Sequence, residues 1–185
     1  MKRCFWVDEK SEIYVKYHDE EWGRLVTDDR LLFEFLTLES AQAGLSWITI
    51  LRKRERYRKA FYDFDVNKVA QMTEQDVERL MQDEGIVRNR LKIKSAISNA
   101  KLFIAIQKEF GSFYNYTLSF FPEQKPISYQ PKTLKDIQAS TPESDAMSKD
   151  MKKRGFKFFG STICYAYLQA TGFVNDHLVN CICRK

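Results

Sequence analysis

The 185 residues contain only two histidines and four cysteines, and apart from Cys164 they fall near the two ends of the chain. Cys4 and His18 stand near the start, His177 and Cys181 near the end. Two thiolates and two imidazoles form a donor set that closes a tetrahedron around zinc. With all four positions filled by protein, such a site is structural and would tie the chain's ends together. The four-residue spacing of His177 and Cys181 predicts that both lie on one face of a helical turn. Asp19 and Asp176, beside the histidines, are placed to accept their second ring protons. Cys183 competes with Cys181 as the fourth donor, and incidental cysteines with surface histidines are the alternative at this point.

A second constellation centres on Glu39. It falls on the helical stripe Leu32, Phe35, Leu36, Ala43, whereas Glu34 falls outside it. A carboxylate on an apolar stripe is either paired to a neighbour or lines a pocket and meets a ligand. Trp6, Tyr14, Tyr17 and Trp22 crowd the first residues, with Tyr14, Tyr17 and His18 on one helical face. Most such aromatic groups are core. Rings plus one acid are also what a nucleobase swung out of DNA requires, because its faces stack and its edge must be hydrogen-bonded.

The elements that must position these residues are helical. Seven glycines and four prolines punctuate the chain, and the apolar spacing between them predicts an all-α fold. Asp28 caps a helix that Gly44 ends, and Ser46 caps the next, which runs through Trp47 into the basic stretch 52–59 and Phe61. Thr73 and Asp76 start a short helix, Gly85 breaks it, and a long helix follows from about Arg88 to Phe110. From Gly111 to Thr141, with Pro122, Pro126 and Pro131, a short helix and a long loop are expected. Glu143–Arg154, framed by Pro142 and Gly155, and Ser161–Ala170 complete the set.

A net charge of +5 is compatible with a polyanionic partner. Three basic clusters, Arg52 to Lys59, Arg88 to Lys94 and Lys152 to Lys157, adjoin expected helix ends, where backbone amides add to phosphate binding. DNA is the simplest such polyanion. No segment approaches the roughly 20 apolar residues of a membrane span, so neither secretion nor membrane insertion is expected, and the cysteines point to a reducing compartment.

Taken in order, several strings resemble one family, the bacterial 3-methyladenine DNA glycosylases of type I. They are Arg3-Cys4 with Trp6, Tyr17-His18-Asp19 with Glu21-Trp22-Gly23, and Leu38-Glu39 followed by Gln42-Ala43-Gly44-Leu45-Ser46-Trp47. Later come Phe61 with Phe64, Gly85-Ile86 with Arg88, Lys152 through Phe158, and Val174-Asn175-Asp176-His177. The resemblance covers nearly the whole chain and implies one glycosylase unit over 1–185, two-lobed, with a helix-hairpin-helix at about 76–101. It implies one structural zinc ion on Cys4, His18, His177 and Cys181. The implied activity is hydrolytic excision of N3-methyladenine from double-stranded DNA, leaving an abasic site, by a monomeric, cytoplasmic, bacterial enzyme. Glu39 would hydrogen-bond the base as the catalytic-site acid, Tyr17 and Trp47 would stack on it, and Trp6, Tyr14 and Trp22 are further pocket candidates. Leu45 is the candidate wedge in the duplex, with Gly85 and Arg88 as hairpin contacts. Two departures stand out: the hairpin has a single glycine, and Phe5 and Ser40 occupy positions where relatives are expected to carry glycine.

Overall fold

The computed structural model describes residues 2–184. Local chemistry accounts for most helix boundaries. Helix α1 spans Glu12–Glu20. Asp28 accepts the Leu31 N–H and opens α2, Asp29–Gln42, and Gly44 leaves it at φ +81°, where a side chain would be strained. Helix α3 is Trp47–Ala60, and a short α4, Val66–Ala70, follows on an Asp65 cap. A reciprocal Thr73/Asp76 capping box starts α5, Glu74–Met81. Helix α6 is Arg90–Phe110: it begins two residues after Arg88 because Asn89 supplies the cap, accepting the Lys92 N–H at 3.1 Å. Helices α7, Phe113–Leu118, α8, Pro142–Arg154, and α9, Ser161–Ala170, complete the helical set.

The fold is mostly helical, and the all-α expectation needs one correction. Within the segment expected as loop, Ile127–Ser128 (β1) pairs in parallel with Val174–Asn175 (β2). Pro122 and Pro126 bar helix continuation there, and the extended chain satisfies its backbone groups on the segment leading to His177.

Helix α2 is the centre of the molecule. Every residue from Leu32 to Ala41 is buried, because α2 packs against α3, α6, α7 and α9 together. The narrow stripe expected from spacing is therefore wrong in extent: Ala43 lies beyond the last helical residue, and Glu34, expected outside the stripe, is buried too. A helix enclosed on all sides has no solvent face to register in its periodicity. Burial of both Glu34 and Glu39 then requires that each carboxyl find a partner or stay neutral.

Candidate active site

Glu34 and Glu39 are equally buried on one helix and differ in their company. Glu34 accepts from Arg54 Nε at 2.5 Å and from Arg58 Nη2 at 2.8 Å, so its charge is matched inside the fold. Glu39 is 3 % exposed, and its Oε2 has no hydrogen-bond partner among the described residues. Burial alone pushes the Glu39 carboxyl up to about 8. An unpaired buried carboxyl costs roughly 1–3 kcal/mol or more, so its retention in a core helix marks it as available to something that enters.

What it faces is a pocket of about 200 Å³ between α1, α2, the start of α3 and α9. All six aromatic and acidic residues singled out in the sequence, Trp6, Tyr14, Tyr17, Trp22, Glu39 and Trp47, line it. Tyr17 and Trp47 stand 5.4 Å apart, tilted by 52°, and Trp6 packs against Tyr14 at 5.2 Å and Trp22 at 5.0 Å. The Trp47 indole N–H is buried without a partner as well, which leaves an unpaired donor and an unpaired acceptor on residues of one aromatic cavity.

Residues that spacing did not single out also line the cavity: Gln42, Ile137, Ala166 and Gln169. Ile137 comes from the stretch expected as loop, and Ala166 and Gln169 sit on an apolar helix with no local sign of a site. Of the two departures, Phe5 stands on the pocket rim, half exposed. Ser40 turns its hydroxyl back to the Leu36 carbonyl at 2.7 Å and is not among the pocket residues.

Leu45 is 40 % exposed in the turn between α2 and α3, next to the pocket residues Gln42 and Trp47. Lys92, on the first turns of α6, donates to the Ala41 and Ala43 carbonyls at 2.8 and 2.6 Å and so braces that turn. Gly85 lies in the α5–α6 turn, where a Cβ would come within 2.1 Å of Arg56 Cγ; close packing on α3 accounts for this glycine. Arg88 is exposed, with only a 3.5 Å approach to Glu84.

The basic clusters differ from their sequence appearance. In 52–59, Arg54 pairs with Glu21 and Glu34, Arg56 with Asp83, and Arg58 with Glu34 and Glu55. In 88–94, Arg90 is held by Glu74 and Glu78, and Lys94 by Glu74. These runs are mainly cement between helices. Arg154 is paired as well, whereas Lys152, Lys153 and Lys157 are exposed with no carboxylate partner among the described residues.

Behind the pocket wall the two chain ends meet. The donor atoms of Cys4, His18, His177 and Cys181 all lie within 4.8 Å of one another, fully buried. The Cys181 Sγ is 3.4 Å from His18 Nε2 and 3.4 Å from His177 Nδ1, and Cys4 Sγ is 3.6 Å from His177 Nδ1. These four residues could hold a metal ion. His18 Nδ1 meets Asp19 Oδ1 at 2.7 Å, as expected. His177 Nε2, however, meets the Trp22 carbonyl at 3.0 Å, while Asp176 turns away to Tyr165 and Gln169. His177 also lies on irregular backbone and Cys181 on an isolated parallel bridge to Lys2, rather than on a helix, since β2 leaves the preceding chain extended. Cys183 Sγ faces the other side of His18, 3.7 Å from Nδ1, outside the four-residue group. Burial keeps both imidazoles neutral, lowering His177 to about 4, and pushes the Cys4 thiol up to about 12.

The match with known proteins is close. The methyladenine glycosylase family model matches residues 6–185. DNA-3-methyladenine glycosylase 1 of Escherichia coli (strain K12) is 51% identical over 183 residues, 99% of this chain and 97% of that protein. DNA-3-methyladenine glycosylase of Haemophilus influenzae is 47% identical over 182 residues, 98% of this chain and 97% of that one. A solved tyrosine-to-phenylalanine variant of 3-methyladenine DNA glycosylase I, in complex with 3-methyladenine, superposes with a TM-score of 0.95 at 38% identity, covering 100% of this chain and 98% of that one. On a match that runs from Trp6 to the last residue, the chain belongs to the methyladenine glycosylase family.

Proposed function

We propose that residues 1–185 act as one monofunctional DNA glycosylase that extrudes N3-methyladenine from alkylated duplex DNA and hydrolyses its glycosidic bond, leaving an abasic site. The observation that carries this reading is the unpartnered Glu39 carboxyl in an aromatic pocket of base size. Relatives named for this activity and a solved relative holding 3-methyladenine support it.

N3-methyladenine in DNA is a cation and leaves as a neutral base, so little acid catalysis is needed. The protein has to select and hold it. Tyr17 and Trp47 offer electron-rich faces, and Glu39 offers a negative acceptor once a cation is beside it. Trp6, Tyr14 and Trp22 complete the walls. Glu39 is then a reader first and a stabiliser of positive charge on the sugar second. No lysine nucleophile lines the pocket among the described residues, in line with hydrolysis without strand cleavage.

On the DNA side, α5 and α6 with their turn would act as a helix-hairpin-helix, Gly85 and Arg88 at its tip, and Leu45 would fill the gap left by the extruded base. One zinc ion would sit on Cys4, His18, His177 and Cys181. In a tetrahedron with about 2.3 Å to sulfur and about 2.0 Å to nitrogen, sulfur–nitrogen edges are about 3.5 Å. Three of the four such edges here are 3.4 to 3.6 Å, and both outer ring nitrogens already have acceptors. When bound, the ion supplies cross-linking rather than chemistry.

Methylated DNA provides the test. The wild-type protein should release free 3-methyladenine; a protein that binds alkylated DNA and releases none is a damage-binding module, and the enzyme reading fails.

A further inference from the structure

Gln169 reaches the pocket from α9, two turns beyond the start of that helix, and its side chain is not free to choose its orientation. Its Nε2 donates to Asp176 Oδ2 at 2.7 Å, and the same oxygen accepts the Tyr165 hydroxyl. Asp176 is buried, 2 % exposed. A carboxylate accepts and cannot donate, so the reversed amide would set two oxygens face to face. This fixes which way round the amide lies: one of its two N–H groups is held by Asp176, and the Gln169 Oε1 is the acceptor it offers to the pocket. The backbone is pinned as well, since the Gln169 carbonyl accepts the Gly23 N–H at 3.0 Å.

Beside the Trp47 indole N–H, a donor, the cavity therefore carries two polar groups of the opposite sense, the Glu39 carboxyl and the Gln169 carbonyl, both acceptors when Glu39 is ionised. Building on the base-excision reading above, we propose that Gln169, oriented by Asp176, is a specificity-determining residue that accepts a hydrogen bond from the exocyclic amine of the bound purine. A purine with a carbonyl at C6 would bring a third acceptor against these two and leave buried groups unpaired. Sites built to hydrogen-bond a donor reject analogues that lack it far more strongly than apolar pockets reject a difference in size. The pocket would thus discriminate 3-methyladenine from its 6-oxo counterpart by polarity rather than by shape.

The free bases 3-methyladenine and 3-methylhypoxanthine, which differ at this substituent, give the test, by titration of the aromatic fluorescence of the full chain. Wild type should bind 3-methyladenine at least about tenfold more tightly than 3-methylhypoxanthine. Gln169→Leu should cut that ratio about tenfold or more, chiefly by weakening 3-methyladenine. Asp176→Asn keeps the shape but offers an amide that can donate to a reversed Gln169, so it should erode the ratio while Gln169 is intact. An unchanged ratio in Gln169→Leu, or equal weakening of both bases, overturns the proposal whether or not Asp176→Asn folds. Wild-type protein that binds neither base overturns the base-excision reading, and this proposal with it.

Discussion

Glu39 is the residue on which most of the chemistry turns. In the unliganded fold its carboxyl is raised from 4.5 to about 8 by burial, so it is largely neutral at pH 7. A cationic base entering the pocket favours the ionised form, and binding should release a proton below pH 8. Affinity for N3-methyladenine in DNA should accordingly rise with pH up to about 8 and then level off, while Glu39→Gln should flatten this profile and weaken binding about tenfold or more. After cleavage the base is neutral and the charge match that held it is gone, which favours release. The sign for stability is opposite. A carboxyl whose value is raised on folding imposes no penalty below its unfolded value and the full one above its folded value. Wild type should thus lose up to about 1.4 kcal/mol per pH unit as pH rises from about 4.5 to about 8. Glu39→Gln should melt higher than wild type above pH 8 and close to it at pH 4.5; coincident melts at both values would contradict the neutral, unpaired carboxyl.

At the scale of elements, helix α6 connects the parts that would meet DNA. Lys92 braces the α2–α3 turn that carries Leu45, and seven residues on, Asn99 bonds both the carbonyl and the N–H of Lys157 at 3.0 Å. At 1.5 Å per residue the two braces are about 10 Å apart along the helix, the length of about three base steps. Removing the Lys92 ammonium leaves the Ala41 and Ala43 carbonyls, at and just past the end of α2, without this donor, at about 1–2 kcal/mol, and frees the turn. Lys92→Met should therefore lower base release from duplex DNA about tenfold while leaving affinity for free 3-methyladenine within about twofold. If both fall together, or neither does, the brace is not what positions the turn. The basic run on α3 teaches the complementary lesson. Its arginines look like a phosphate footprint in sequence, and three of the four, Arg54, Arg56 and Arg58, are ion pairs in the fold.

For the whole molecule, the cysteine–histidine cluster joins residues 4 and 181 and shares a wall with the pocket. Trp22 stacks near His18, with rings 6.2 Å apart, gives its carbonyl to His177, and lines the cavity. One zinc per chain should be found in the purified protein. Its removal by a chelator should lower the melting temperature by about 10 °C or more and loosen base binding through Trp22. A protein without stoichiometric metal, or an unchanged melt after chelation, would remove the clip. A catalytic ion predicts the reverse pattern, with chemistry lost and the fold intact.

By itself the sequence determined most of the helical spans and several of their caps, because each depends on residue types within a few positions; α4 and the lack of a side-chain cap bond at Ser46 were not legible in it. Asp28, Thr73 with Asp76, and Pro142 with Gly155 each do their work within a turn of chain. It also singled out Glu39 with Trp6, Tyr14, Tyr17 and Trp22, since a carboxyl among apolar neighbours and a run of aromatic rings are visible without coordinates, and the family resemblance added Trp47. Tertiary structure decided what distance along the chain conceals. Spacing separated Glu39 from Glu34, yet the fold buries both, and only the approach of Arg54 and Arg58 from α3 makes Glu34 a satisfied ion pair and leaves Glu39 unpaired. Cys181 rather than Cys183 completes the four-residue group because the final turn aims its sulfur at both imidazoles. Gln169 carries no local signal at all: its carbonyl becomes a pocket acceptor only because Asp176, seven residues on and just past β2, holds one of its N–H groups.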